Sequence, residues 1–367
     1  MTQRRAAWTR LARRRPWLAR ASVVLVAVVV LASGLAGARY AVGWWAGPPS
    51  IGVGTDGADA LAVSPDGKTL YAANWDADGD RGGITVVDLA TGRAGTRIDT
   101  GGPAVMLALM PGGRALYALV QSGGTGDRLM RIGLAGRPAE EQAAFRFGAE
   151  DLVAAPTGSM LYVLAHTSTE STAVISVDVG SGREGRPVPV PADAQAMAIS
   201  PDGRMLYIGT GNADGRGPGE VLPVDTRSGK AGTPVRFRHP VIGLAVSPGG
   251  DRLFGLSSNN RCSAGGACGG SCDLVGIGTT SGAAVWTSRL DSGCDQLEVA
   301  PDGRRLFVLS TDNSLAAANS LTGQLEMTIR TTGFIASEGD SDFLIAPDGR
   351  TVYVADQYRG VTVIKEP

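Results

Sequence analysis

Histidine and cysteine are scarce in this chain of 367 residues, with two of the first and four of the second. His166 and His239 stand far apart, with no spacing that makes either a metal ligand or a catalytic base. No Gly-x-Ser-x-Gly elbow, phosphate-binding glycine loop or His-Glu-x-x-His motif occurs, so the usual sequence signs of hydrolase and nucleotide chemistry are missing. Four cysteines are too few for a disulfide scaffold, although all of them lie between Cys262 and Cys294. Charged residues make up only 19%, but 43% hydrophobic content is too high for a disordered chain. The 53 glycines have no three-residue period, which excludes collagen.

Acidic residues are absent from the first 50 positions, which hold 8 arginines. Residues 1–20 therefore form a basic tail, expected to stay in the cytoplasm. An uncharged run of Val, Leu and Ala follows from Ala21 to Ala38. At about 1.5 Å per residue it spans roughly 27 Å, enough to cross a bilayer core as one transmembrane helix. Trp17 before it and Tyr40, Trp44 and Trp45 after it fit interfacial aromatic belts. Two readings stand: a retained signal-anchor, or a signal peptide cut after the small-x-small sequence Ala36-Gly37-Ala38. Both put the rest of the protein outside the cytoplasm, on the membrane in the first case and secreted in the second. Beyond residue 50, 26 basic residues face 35 acidic ones, a net of about −9 that opposes binding to a nucleic-acid backbone.

The remainder is a seven-fold repeat. Pro65, Pro111, Pro156, Pro201, Pro248, Pro301 and Pro347 recur every 45 to 53 residues. Each has a glycine two positions later and an aromatic six positions later, from Gly67 and Tyr71 to Gly349 and Tyr353. Proline presets φ and glycine accepts a positive φ, so Pro65-Asp66-Gly67 reads as a tight turn between two strands. A second turn, Asp/Asn-x-x-Ser/Thr-Gly, recurs at Asp178–Gly182, Asp225–Gly229 and Asn319–Gly323. Four antiparallel strands per repeat describe a β-propeller blade, and the fold expected is all-β and seven-bladed. The last copy stops after a third strand, Val361–Ile364, while Ser50–Gly54 precedes the first copy. That N-terminal strand is expected to complete the last blade and close the ring. Residues 39–48 are then a stalk and residues 49–367 one domain.

Leu61–Asn74, with further copies at Ala196–Ile208 and Phe343–Ala355, resembles the YVTN-type β-propeller repeat of bacterial extracytoplasmic proteins. The resemblance covers residues 50–367 and implies the fold. Its functional range includes cell-surface repeat proteins, single-stranded DNA binders and lactonase-like enzymes, and the repeated residues themselves carry no functional role.

In such a ring one face carries the short turns, and the other carries the variable loops, where binding is expected. The position six before each proline reads Asp59, Val105, Glu150, Gln195, Ile242, Asp295 and Ser341. These positions are expected to ring the channel mouth. Asp59, Glu150, Gln195 and Asp295, with the neighbouring Asp340 and Asp342, are thus candidate ligand-binding residues. They are either an oxygen-rich site for Ca²⁺ or solvated loop acids. The loop Asn74–Asp80 begins like a calcium loop but has Thr85 where the bidentate Glu belongs, which leaves Trp75 as a candidate partner contact. Cys262, Cys268 and Cys272 fall in an enlarged loop of the fifth repeat and Cys294 in the next connection. Outside the cytoplasm they are expected to form two disulfides, with the pairing open, and their spacing does not suit zinc. The expectation is a non-catalytic propeller that binds a protein or cell-envelope ligand. The alternatives are a metal-dependent lactonase-like hydrolase at the channel mouth and, last, single-stranded DNA binding.

Overall fold

The computed structural model describes residues 49–53, 57–75, 82–121, 126–134, 139–211, 217–259, 261–262, 268–312, 314–330, 342–356 and 360–365. The basic tail, the proposed membrane segment and the stalk lie outside them. The chain divides into two compact units, 1–46 and 47–367, and the second contains all the strands described below. Among the described residues no helix is long and apolar enough to cross a membrane.

The second unit is a seven-bladed propeller, with seven four-stranded antiparallel sheets. Blade one is built from Ala60–Val63, Thr69–Trp75, Gly82–Asp88 and Arg93–Asp99. Blades two to six repeat that order. Their inner strands are Ala104–Leu109, Ala149–Ala154, Ala194–Ile199, Val241–Val246 and Cys294–Val299. Blade seven has Phe343–Ile345, Thr351–Asp356 and Gly360–Lys365, and Ser50–Ile51 supplies its fourth strand. Ser50 pairs with Thr362 and Ile51 with Val361, so the two ends of the unit meet in one sheet. The closing strand is shorter than expected, yet the chain after it stays anchored. The Val53 carbonyl accepts hydrogen bonds from Asn74 Nδ2 and Thr85 Oγ1 of blade one, both at 2.8 Å.

The repeat signature has a packing reason. In every blade the turn glycine has a φ between 67° and 73°. A Cβ on Gly113 would lie 3.0 Å from Pro65, and one on Gly303 would lie 3.1 Å from Pro248. The same succession runs through Gly158 on Pro111, Gly203 on Pro156, Gly250 on Pro201 and Gly349 on Pro301, and Gly67 on Pro347 completes the circle. Each blade's proline therefore seats the next blade's glycine. The aromatic six residues on is buried, fully so for Tyr117, Phe254 and Phe307. The second turn also follows its sequence: Asp178 Oδ1 accepts from Ser181 N at 2.8 Å and Ser181 Oγ at 2.7 Å, and Asp225 repeats this with Ser228. Apolar clusters fill the seams between neighbouring blades. One joins Leu61 and Leu70 of blade one to Tyr353 and Val361 of blade seven.

Candidate functional site: the channel wall and the variable face

The inner strand of each blade has one edge without a strand partner, and backbone N–H groups left there must find acceptors. In several seams a side chain of the preceding blade provides one. Asp151 Oδ2 of blade three accepts from Met197 N of blade four at 2.6 Å. Gln296 Oε1 of blade six accepts from Phe343 N of blade seven at 2.9 Å. Asp342 Oδ2 of blade seven accepts from Leu61 N of blade one at 2.7 Å, and its Oδ1 takes Gln296 Nε2 at 2.8 Å. The acceptor is always five residues before the repeat proline, and the donor is four before the next one. Glu298 lies two residues beyond Gln296 on the same strand.

These carboxyls are half-buried along the wall, and their ionisation reflects the partial loss of water. Burial pushes the Asp151 carboxyl up to about 6, although the N–H groups of Leu152 and Met197 favour its charged form. Burial raises Asp342 to about 6 as well. Glu298 goes furthest, to about 8, through burial first and then the neighbouring Asp342 charge.

The ring six before each proline has a structural counterpart. In blades two to six the ladder between the inner and second strands skips one residue: Val105, Glu150, Gln195, Ile242 or Asp295. These are β-bulges, which re-aim side chains at a sheet rim. The candidates from the sequence take separate positions there. Asp59 directly precedes the blade-one strand, and its N–H donates to Ala73 O at 3.0 Å. Glu150 is exposed and pairs through Oε1 with His166 Nε2 at 2.7 Å. Gln195 Nε2 donates to Val241 O of the next blade at 3.1 Å. Asp295 is half-buried, and Asp342 is one of the inter-blade acceptors. Asp340 and the loop of residues 76–81 fall outside the described residues, and Trp75 ends its strand opposite Gly82. Among the described residues no group of three or more His, Cys, Asp or Glu side chains is arranged to hold a metal ion.

On the variable face the connection into blade three carries an exposed aromatic that sequence reasoning missed. Phe147 is 45% exposed, and the Arg146 guanidinium sits 5.7 Å from its ring centroid. The Gly148 carbonyl beside it accepts from His166 N at 3.0 Å. His166 Nδ1 lies 3.0 Å from Thr172 Oγ1, whose own proton goes to Ala192 O at 3.1 Å. On the opposite, turn-bearing face, the seam of blades four and five leaves a cleft of about 530 Å³ lined by Pro201, Asp202, Tyr207, Gly249 and Thr279.

Cys272 and Cys294 form a disulfide. The sequence put them in a loop and a connection; instead they open the third strand of blade five and the inner strand of blade six. The bridge fastens that seam covalently, between two residues that are 0% and 1% exposed. Backbone pairing of Arg261–Cys262 with Cys268–Gly269 sets Cys262 opposite Cys268 in a separate two-stranded ladder. A second bridge between those two is expected: the intact mass without reductant should be about 4 Da below the reduced mass. A difference of about 2 Da would show a single bridge.

Comparison with known proteins agrees with the architecture. A family model described as outer membrane protein assembly factor BamB matches residues 244–366, about a third of the chain. No curated protein matches. Among solved structures, Kuenenia stuttgartiensis hydrazine synthase superposes with a TM-score of 0.67 at 18% identity, covering 89% of this chain and 99% of that one. The Cps50 (Swd1) β-propeller domain of Myceliophteria thermophila gives 0.65 at 13% identity, covering 86% and 99%. At such identities the likeness is one of fold.

Proposed function

We propose that this protein is an extracytoplasmic propeller, held at the membrane by its N-terminal segment, whose variable face binds a protein or cell-envelope ligand without catalysing a reaction. The observation that carries this reading is Phe147, a large aromatic left in solvent beside Arg146 on a face otherwise braced by the Glu150–His166–Thr172 hydrogen bonds. An exposed aromatic and arginine on a rigid support have the composition of a binding hot spot. Asp151, Gln296 and Asp342 are engaged by backbone N–H groups of neighbouring blades, a structural use of the wall's polar groups. The Cys272–Cys294 bridge suits an oxidising compartment. A protein ligand is favoured by the match to a model named for outer membrane protein assembly. The repeat itself resembles the YVTN type, whose range includes cell-surface proteins.

A photo-crosslinking residue placed at 147 in intact cells should capture a discrete partner or envelope polymer. The same residue at 114, on the turn face, should not. Phe147→Ala is expected to weaken the captured interaction about tenfold or more. Equal labelling from both faces, or none from 147, refutes the assignment.

A further inference from the structure

The residue that follows the third strand decides how a seam closes on the turn face. A backbone bond fixes its place: Leu89 N donates to Lys68 O at 2.9 Å, Val179 N to Ser159 O at 2.9 Å, and Thr279 N to Asp251 O at 3.1 Å. In blades one, two and three this residue is Leu89, Leu134 or Val179, and its side chain packs into the seam with the preceding blade. Blades four, five and six carry Thr226, Thr279 and Ser320 instead. Each turns its hydroxyl to the carbonyl of its own blade's turn glycine, as Thr279 Oγ1 does to Gly250 O at 2.8 Å. No apolar plug enters those seams from this position.

Between blades five and six, Arg252 Nη1 and Trp286 Nε1 both reach across to Ser320 O, at 3.2 Å each. Between blades four and five, Met205 stands at the place of Arg252, and the cleft of about 530 Å³ remains. Pro201 and Met205 give it apolar walls, and Asp202, Tyr207 and Thr280 supply oxygens. Tyr117, the counterpart of Tyr207 in blade two, donates its hydroxyl to Val179 O at 3.3 Å. The Tyr207 hydroxyl has no such partner among the described residues, although the ring is only 8% exposed. Asp202 is the one charged residue of the lining. Its Oδ1 accepts from Ser200 Oγ at 2.6 Å and Arg204 N at 3.0 Å, which hold the carboxyl below its ordinary range. Its Oδ2 lies 3.9 Å from Arg204 Nε, beyond hydrogen-bonding distance. Burial and then the Asp202 charge raise the Tyr207 phenol, which keeps its proton.

We infer that this cleft is a binding site for a neutral sugar, one or two rings of a glycan, held through its hydroxyls by Asp202, Tyr207 and Thr280 against Pro201 and Met205. A carboxylate that only accepts, beside a phenol and an alcohol that do both, suits a ligand whose groups donate and accept. An ammonium ion only donates and would leave the Tyr207 proton unmatched. The single negative charge opposes uronic or phosphorylated sugars. The volume is that of small-molecule sites, which combine apolar walls with a few placed polar groups. The site is on the face opposite Phe147 and stands apart from the reading built on that residue.

Saturation-transfer NMR on the full chain tests it, with cellobiose, N,N′-diacetylchitobiose and digalacturonate, each at about 10 mM. At least one neutral disaccharide should receive saturation, and digalacturonate should receive little. Tyr207→Phe removes a hydroxyl without a protein partner, and should weaken that binding about fivefold or more. Thr279→Leu installs the side chain of blades one and two, and should abolish binding by plugging the cleft. No transfer to either neutral sugar, equal transfer to digalacturonate, or undiminished binding in either variant overturns the assignment. Should Thr279→Leu not fold, Tyr207→Phe decides alone. Crosslinking from residue 147 is read separately, so failure on one face leaves the result on the other intact.

Discussion

Replacing both members of the buried bridge, Cys272→Ala with Cys294→Ala, is expected to lower unfolding free energy by about 3 kcal/mol. The two residues are 22 apart in sequence, and closing a loop of that length removes about 3 kcal/mol of chain entropy from the unfolded state. Both sulfurs also belong to an apolar cluster with Phe254, Leu274 and Leu306, so their removal leaves unfilled volume. For a propeller of this size the melting temperature should drop by about 5 °C. The control is reductant: it should destabilise the wild type by a similar amount and leave the double variant unchanged. Equal midpoints for oxidised wild type and variant would mean that the seam is held by packing alone. The location gives the bridge its weight, because a closed ring fails at its weakest seam. Here blades five and six are joined covalently, blades seven and one by Asp342 and the closing strand.

The repeat was legible because each of its residues has one geometric duty that recurs seven times. Proline, glycine and aromatic fix a turn and a buried ring, and the absent last strand foretold that Ser50–Ile51 would close blade seven. The wall was harder to read. The sequence directs attention to acids six before the proline, whereas the inter-blade acceptors Asp151, Gln296 and Asp342 come one residue later. The reason is the bulge: the skipped residue is turned out of the ladder, and the next side chain meets the following blade. A signal was present, since the other blades have Ala60, Met106, Ala196 and Gly243 at this position. Glu298 likewise stands where the other blades carry Ala62, Ala108, Val153, Ala198, Ala245 and Leu344. A polar residue at an otherwise apolar repeat position marks a local duty. Phe147 has no such marker, because its connection lies between repeats and its exposure depends on how the chain leaves blade two.

The same geometry yields a paired prediction at the turns. Gly92 and Gly113 share a left-handed backbone, with φ of 67° and 68°. An alanine at either is strained by that backbone, at about 1–2 kcal/mol. Space separates them: a Cβ at 92 meets nothing within 4 Å, whereas one at 113 lies 3.0 Å from Pro65 Cδ. Gly113→Ala must therefore also displace a proline ring that is locked to its own turn, adding about 1 kcal/mol or more. Urea unfolding should rank wild type above Gly92→Ala, and Gly92→Ala above Gly113→Ala. Adding Pro65→Ala to Gly113→Ala should recover the contact part of the loss but none of the backbone part. If the two glycine variants unfold at the same urea concentration, the proline seat contributes nothing, and the spacing of proline to glycine reflects turn geometry within each blade alone. If they separate as expected, the motif is an inter-blade contact, and its seven copies fix the spacing of the blades on the turn face while the opposite face is left free to vary.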